Sequence, residues 1–473
     1  MRPDRPRGLI VAAVLTLLGV TGCAAPSASS DFARIRDLSG AELSKAAARD
    51  EVEAETTGDA RTLLAQPLTA DAAVRIALLN NRELRATLRE VGIARGNLVQ
   101  AGLLPNPELE VEVTPRQGHL EHTRIELSVE YDLISAILAP LRERAAQADH
   151  EAARYRAAGA ALELGYSVRA AFYAVQASQQ RLAIANQGLD ILAAGRDAAR
   201  ALFEAGNVPE LDAASQEAVY EGARITAAQV ELELIERRER LQRLLGLSGS
   251  DTTWRIRSQL PGAEEELHVS PRAEARAISA SVELAEARSR LEAVAGRAGA
   301  TRTEGALPDL SVGLRGERED EAWQIGAGLR LTLPLFDRKQ GATMAAEAEF
   351  DSLLERYHGL AVDIRSALRE GRSRLMSAHL RARHYERFVI PARKRVVEQT
   401  LLQYNAMQVG IFQLLQARRD QLDAELAEVE ARREYWTSKA AFEVLLAGRR
   451  VQSMTPAAPA AVSSGAGTNE GGH

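Results

Sequence analysis

The chain has 473 residues, 46% of them hydrophobic and 26% charged, with a net charge of −6. That balance excludes a disordered chain and a helical membrane bundle, and an acidic chain with no basic block interleaved with aromatics gives no support to nucleic-acid binding. Alanine supplies 85 residues and aromatics only 4%, a composition suited to long helices packed side by side, because alanine is the strongest helix former.

Residues 1–22 read as a bacterial signal peptide. Arg2, Arg5 and Arg7 precede an apolar run from Leu9 to Leu18, shorter than the ~20 residues a transmembrane helix needs. The run leads to Val20-Thr21-Gly22-Cys23, and Cys23 is the single cysteine of the chain, so neither an intrachain disulfide nor a cysteine-based zinc site can form. The tetrapeptide resembles the lipobox of bacterial lipoproteins, which implies lipid attachment at Cys23; Ala24, in place of an aspartate, implies sorting to the outer membrane. Loss of residues 1–22 removes three arginines and Asp4 and leaves a net charge of −8. No later stretch is apolar and long enough to cross a membrane as a helix, so any crossing must use β-strands.

After a lipidated N-terminal segment, 23–67, the chain is written twice. Glu83-Leu84 returns as Glu283-Leu284, Leu104-Pro105 as Leu307-Pro308, Phe203 and Val208 as Tyr404 and Val409, and Leu245-Gly246 as Leu446-Ala447. The expected units are 68–247 and 270–448, joined by a linker at 248–269 and followed by a disordered tail at 449–473. Each unit is expected to start with a helix of about 30 residues, from Thr69 and from Ser270, whose hydroxyls suit helix starts. Two strands follow, then two very long helices, across the proline-free spans 141–208 and 335–390. In the last helix Leu415, Leu422, Val429 and Trp436 recur every seven residues, with Arg433 interrupting the seam, a pattern for close packing against several neighbours.

The strands alternate with period two. Glu108, Glu110 and Glu112 oppose Leu109, Val111 and Val113; Glu126 and Glu130 oppose Ile125, Leu127, Val129 and Tyr131. In the second unit Leu310, Val312 and Leu314 share a face, as do Ile325, Ala327, Leu329 and Leu331. The polar stretches 114–123 and 315–322 read as their loops. One apolar face suits a membrane barrel, but four strands cannot close one, since ~8 is the smallest usual number. Open edges are not tolerated in lipid, so the chain must assemble with copies of itself.

Taken with the duplicated plan, the stretch Gln100-Ala-Gly-Leu-Leu-Pro-Asn-Pro-Glu-Leu109, the run Leu333-Pro-Leu-Phe-Asp337, and the paired turns Phe203-Glu-Ala-Gly-Asn-Val208 and Tyr404-Asn-Ala-Met-Gln-Val409, the chain resembles the TolC family of outer-membrane efflux proteins. The resemblance implies a mainly helical fold with a small β part. Three chains would form a twelve-stranded barrel in the outer membrane, four strands from each, continued by a helical barrel through the periplasm. It implies as partners a periplasmic adaptor protein and an inner-membrane pump, and no cofactor. At the periplasmic entrance it assigns gate positions to Asp212, Tyr404, Gln413 and Gln416. Gln413 and Gln416 stand where well-known members carry aspartate rings, and Val409 where they carry an arginine, so a strongly acidic, salt-linked gate is not expected. Glu108, Glu110, Glu112, Glu126 and Glu130 would line the pore.

No P-loop, dinucleotide fingerprint or nucleophile elbow is present, so no enzyme activity is expected. His119 and His122 fall in the first strand loop as solvated residues. Two other readings stay open: the heavy-metal efflux branch of the same family, and a lipid-anchored periplasmic coiled-coil adaptor, which would carry one helical hairpin between β-rich domains.

Overall fold

The computed structural model describes residues 27–40, 62–114, 124–307, 309–319 and 322–451; Cys23, His119, His122 and the tail beyond 451 lie outside these. The chain forms α1 (Ala28–Ser39), α2 (Ala70–Asn80), α3 (Arg82–Gly102), β1 (Glu108–Thr114), β2 (Arg124–Asp132), α4 (Leu133–Glu204) and α5 (Glu210–Leu245). The second half repeats the order with α6 (Ala273–Ser279), α7 (Val282–Ala306), β3 (Asp309–Glu319), β4 (Ala322–Thr332), α8 (Gln340–His384), α9 (Ile390–Asn405) and α10 (Ile411–Leu446).

The first helix of each half is broken, where a single helix was expected. Asn81 leaves the helical region (φ −62°, ψ 119°) and its side chain accepts from Leu84 N at 2.9 Å, opening α3. Ser281 does the same for α7, accepting from Leu284 N at 3.1 Å. The cause is 165 or so residues away in sequence: the C-terminal turn of the last helix crosses at each break. Asn81 donates to Leu244 O at 3.0 Å, and Val282 N donates to Gly448 O at 3.2 Å. Gly246 (φ +67°) and Gly448 (φ +92°) close those turns, and a Cβ on them would lie 2.6 Å from Asn80 O and 2.2 Å from Ala280 O. Glycine is required there both by its left-handed backbone and by the close approach.

With 72 residues, α4 extends ~108 Å at 1.5 Å per residue. It starts seven residues before Pro140, capped by Asp132, which accepts from Ser135 N at 3.0 Å. Its counterpart in the second half is interrupted: α8 passes through a π turn, Tyr385–Val389, into α9, with Pro391 at the second position of α9. A π turn relocates the backbone groups that a proline would otherwise strand.

The long helices stand in the order α5, α4, α10, α8–α9. Arg181 of α4 meets Glu233 of α5 at 2.9 Å, Arg169 of α4 meets Glu443 of α10 at 3.4 Å, and Arg393 of α9 meets Asp420 of α10 at 3.1 Å. The seven-residue repeat of α10 packs on α4 through glycines spaced by seven. Leu415 abuts Gly195, where a Cβ would sit 3.1 Å from its Cδ1, and Leu422 abuts Gly188 at 3.7 Å. Arg433 is held by Glu430 at 2.9 Å.

The segment between the halves is pinned across this wall. Its Trp254, Leu260 and Ala263 are buried. Gln176 of α4 donates to Arg257 O at 3.0 Å, Arg238 of α5 donates to Trp254 O at 3.1 Å, and Trp436 of α10 donates to Pro261 O at 3.0 Å. Tyr435 donates to Glu264 at 3.1 Å, and Lys439 and this hydrogen bond hold the Glu264 carboxyl below its ordinary pKa against partial burial.

Helix α1 lies on α3 and α4. Asp31 is buried and binds Arg154 at 2.8 Å and Arg95 at 3.3 Å, with His150 Nε2 3.2 Å from its carboxylate. Phe32, Ile35 and Leu38 join a core made by Leu84, Leu88, Val91, Ala157 and Ala161.

Candidate pore-lining sheet and entrance

The four strands form one antiparallel sheet in chain order, with β1 and β4 as open edges. The register puts Glu110 opposite Ser128, Ser128 opposite Arg315 and Arg315 opposite Gly326. Paired residues share a face, so one face carries Glu108, Glu110, Glu112, Arg124, Glu126, Ser128, Glu130, Ser311, Arg315, Glu317, Gln324 and Arg330. The other carries Leu109, Val111, Val113, Leu127, Val129, Val312, Leu314, Trp323, Ile325, Leu329 and Leu331, all of them exposed, with Arg318 beside Trp323 near its loop end. A water-soluble sheet buries such a face; a barrel in lipid turns it outward and keeps the polar face inside. Trp323 stands at the loop end of the apolar face and Tyr131 at the helix end, as interfacial aromatics do.

The second hairpin is longer than the sequence suggested. Residues 315–319, read as loop, belong to β3, which has 11 residues like β4. The alternation Ser311, Gly313, Arg315, Glu317 already contained this signal, masked by its charge density. Glu317 therefore joins the polar face and binds Arg124 at 2.8 Å. Charges on this face are sorted: Arg315 holds Glu126 at 2.8 Å and Arg330 holds Glu130 at 2.7 Å. Glu108, Glu110 and Glu112 have no cationic partner among the described residues, and Glu110 only accepts from Ser128 at 3.4 Å. Of the five glutamates expected to line the pore, the three on β1 keep an uncompensated charge. At the junction of sheet and helices Leu103, Leu104, Ile137, Leu333, Leu335 and Phe336 are exposed, Phe336 to 92%. This collar continues the apolar band of the sheet; all of it but Ile137 lies in the two stretches quoted for the resemblance, whose exposure the sequence did not announce.

At the far end of the helices the two turns are built alike. In the first, Gly206 N donates to Phe203 O and Asn207 N to Leu202 O, both at 2.8 Å. In the second, Met407 N donates to Tyr404 O and Gln408 N to Gln403 O, both at 2.9 Å. Gly206 has φ +74° and Met407 φ +59°, the left-handed residue that ends a helix in this motif. Asp212 and Gln413 then occupy the same place, the third residue of α5 and of α10, with backbone N–H groups bonded to Pro209 O and Gly410 O at 3.1 Å each. Both side chains are exposed, as are Tyr404 and Gln416. Gln416 donates to Asp420 at 2.7 Å, and Asp420 also binds Arg393. The structure thus brings Asp212, Tyr404, Gln413 and Gln416 to one end of the molecule, away from the five strand glutamates.

Residues 73–247 match the family model described as outer membrane efflux protein. Over that stretch the chain is similar to that family. Over 370 residues it is 26% identical to the cobalt-zinc-cadmium resistance protein CzcC of Cupriavidus metallidurans, covering 76% of this chain and 86% of the relative. The fold is shared with the CmeC outer membrane channel of Campylobacter jejuni, with a TM-score of 0.69, 16% identity, and coverage of 81% of this chain and 86% of that one. It is shared too with the open state of the MtrE outer membrane channel of Neisseria gonorrhoeae, with a TM-score of 0.65, 16% identity, and coverage of 81% and 90%. This similarity fits the sheet, the collar and the two matched turns. Among the described residues no helix is long and apolar enough to cross a membrane.

Proposed function

We propose that the chain is the outer-membrane channel of a tripartite efflux or export system. Three copies form the conduit, and an inner-membrane pump and a periplasmic adaptor deliver substrate to it. The observation that carries this reading is the four-stranded sheet, apolar on one face and polar on the other, running directly into α4. A sheet with two open edges cannot stand alone in lipid; edge β1 pairs with edge β4 of the next copy, and three copies make twelve strands. A single-hairpin adaptor does not account for two broken helices, two hairpins and two matched turns. Cys23 anchors the N-terminus through lipid, and Asp212, Tyr404, Gln413 and Gln416 surround the entrance.

In mild detergent the purified protein should have the mass of three chains, and in planar bilayers it should conduct. A stable monomer retaining its full β-structure in bilayers would exclude the channel. Similarity to a cobalt-zinc-cadmium resistance protein and the unpaired β1 glutamates favour a second reading, divalent heavy-metal cations as cargo. Deletion of the protein should then sensitise cells to these metals; sensitivity confined to organic toxicants would remove that reading and leave the channel.

A further inference from the structure

The helical wall has two free edges, α5 and α8–α9, and their chemistry is opposite. Along α5 from Glu210 to Glu236 stand seven carboxylates (Glu210, Asp212, Glu217, Glu221, Glu231, Glu233, Glu236) against one cation, Arg224. From Leu380 to Asn405, on the other edge, stand Arg381, Arg383, Arg387, Arg393, Lys394 and Arg395 against Glu386 and Glu398. Each edge also exposes large apolar residues: Leu211, Ile225 and Leu232 on α5, and Leu380, Phe388 and Leu402 on the other, all between 56% and 74% exposed. On α5 the spacing of Glu221, Ile225, Leu232 and Glu236 puts them on one helix face.

Contacts across the wall set the two edges at matching heights. Glu217 of α5 touches Arg196 of α4, Gly195 of α4 touches Leu415 of α10, and Asp420 of α10 touches Arg393 of α9. Following these contacts brings Glu217 level with the neighbourhood of Glu398. The route through Arg181, Gly188, Leu422 and the Glu434–Arg381 pair brings Glu233 level with Glu386 and Arg387. Rotation about a threefold axis preserves height, so the acidic stretch of one copy stands beside the basic stretch of the next. Both stretches span several turns, so a tilt of the helices leaves the match intact. Ile225 and Leu232 fall within about a turn of Phe388, and Leu211 beside Leu402. Glu236, Arg387 and Arg395 have no ion-pair partner within the chain among the described residues.

We propose that α5 of one copy docks on α8–α9 of the next through a seam of acidic against basic side chains around an apolar stripe. Its partner is a second copy of this chain, and the inference rests on the ring assembly proposed above. The seam holds the entrance half of the tunnel through ion pairs between copies, at a place where Val409, Gln413 and Gln416 leave the second turn uncharged.

The test uses the full-length channel with Leu232→Cys and Phe388→Cys together. Oxidation should give a covalent three-chain ladder. Adding Glu221→Lys and Glu236→Lys should slow crosslinking roughly five- to tenfold, because two partly exposed pairs turn from attraction to repulsion. Arg387→Glu and Arg395→Glu in the same chain should restore it. High salt should slow the parent pair, since the Debye length falls to ~3 Å at 1 M. A ladder whose rate ignores both charge reversal and salt overturns the charged seam while the ring stands. Trimers by mass with no ladder under any condition overturn the edge pairing. Absence of trimers by mass removes the ring reading, and the seam with it.

Discussion

Asp31 shows what a single residue does for the N-terminal segment. It is a buried carboxylate held by two arginines, and breaking a buried pair costs ~3–5 kcal/mol because a charge is left without compensation. Asp31→Ala should release α1, read as protease cleavage within 28–39 while the long helices stay protected. His150 adds a pH dependence. Burial, reinforced by Arg154, keeps its pKa below the ordinary imidazole value, against the pull of Asp31 and Glu151. His150 lies on α4 and loses its burial when α1 leaves, so the undocked state takes up a proton first as pH falls below ~6.5, and docking is strongest above that value and weakens on acidification. Cleavage of α1 should increase toward about pH 5, and a His150→Gln chain that keeps the same acid sensitivity would exclude His150 as its source. Gly448 gives a second residue-scale prediction. Gly448→Ala forces a left-handed alanine whose Cβ meets Ala280 O at 2.2 Å, and should destabilise by more than ~1 kcal/mol. Gly359→Ala, with open space around it inside α8, should stabilise by ~0.5–1 kcal/mol. Denaturant midpoints that move in the same direction for both would contradict the crossing geometry.

At the scale of elements, local pattern and long-range contact divide the work. Strand alternation, the duplication and the seven-residue repeat of α10 are local, and the sequence displays them directly. The breaks at Asn81 and Ser281 were not legible, because what ends each helix is a carbonyl near a glycine from the far end of the same half. The partner of the α10 repeat was equally hidden: nothing in Leu415 or Leu422 announces that Gly195 and Gly188 face them. The length of β3 was misread because charge suggests a loop in a soluble protein, whereas a pore-facing strand carries charge on alternate positions. The glycine contacts give a prediction for the α4–α10 packing. Gly195→Val adds atoms where a Cβ already lies 3.1 Å from Leu415, and overpacking of this kind costs ~1–3 kcal/mol. Leu415→Ala placed in the same chain should recover part of the loss. If the two substitutions simply add, measured by thermal unfolding in detergent, the two side chains are not in contact in the assembled channel.

For the whole molecule the placement of charge would decide what the proposed conduit selects. The strand end and the turn end lie on opposite sides of a helix ~108 Å long, so charges at one end are screened from the other over many Debye lengths, ~8 Å each at physiological ionic strength. At the strand end Arg124, Arg315 and Arg330 compensate Glu317, Glu126 and Glu130, so in the proposed three-chain pore the nine β1 glutamates would keep their charge. The proposed gate positions were legible only through resemblance and matched spacing, since exposed polar side chains at a helix start carry no signal of their own. In the proposed three-chain assembly Asp212 would supply three carboxylates at the turn end, while its repeat partner Gln413 would supply none. A ring of like charges at a constriction raises the local concentration of counter-ions. Asp212→Asn should therefore reduce cation preference and block by divalent cations in single-channel conductance, with the largest effect at low salt. Gln413→Ala should change selectivity little, because it removes no charge from an equivalent position. If Gln413→Ala altered selectivity and Asp212→Asn did not, the entrance would be gated elsewhere, and the β1 glutamates at the opposite end would become the determinant to mutate.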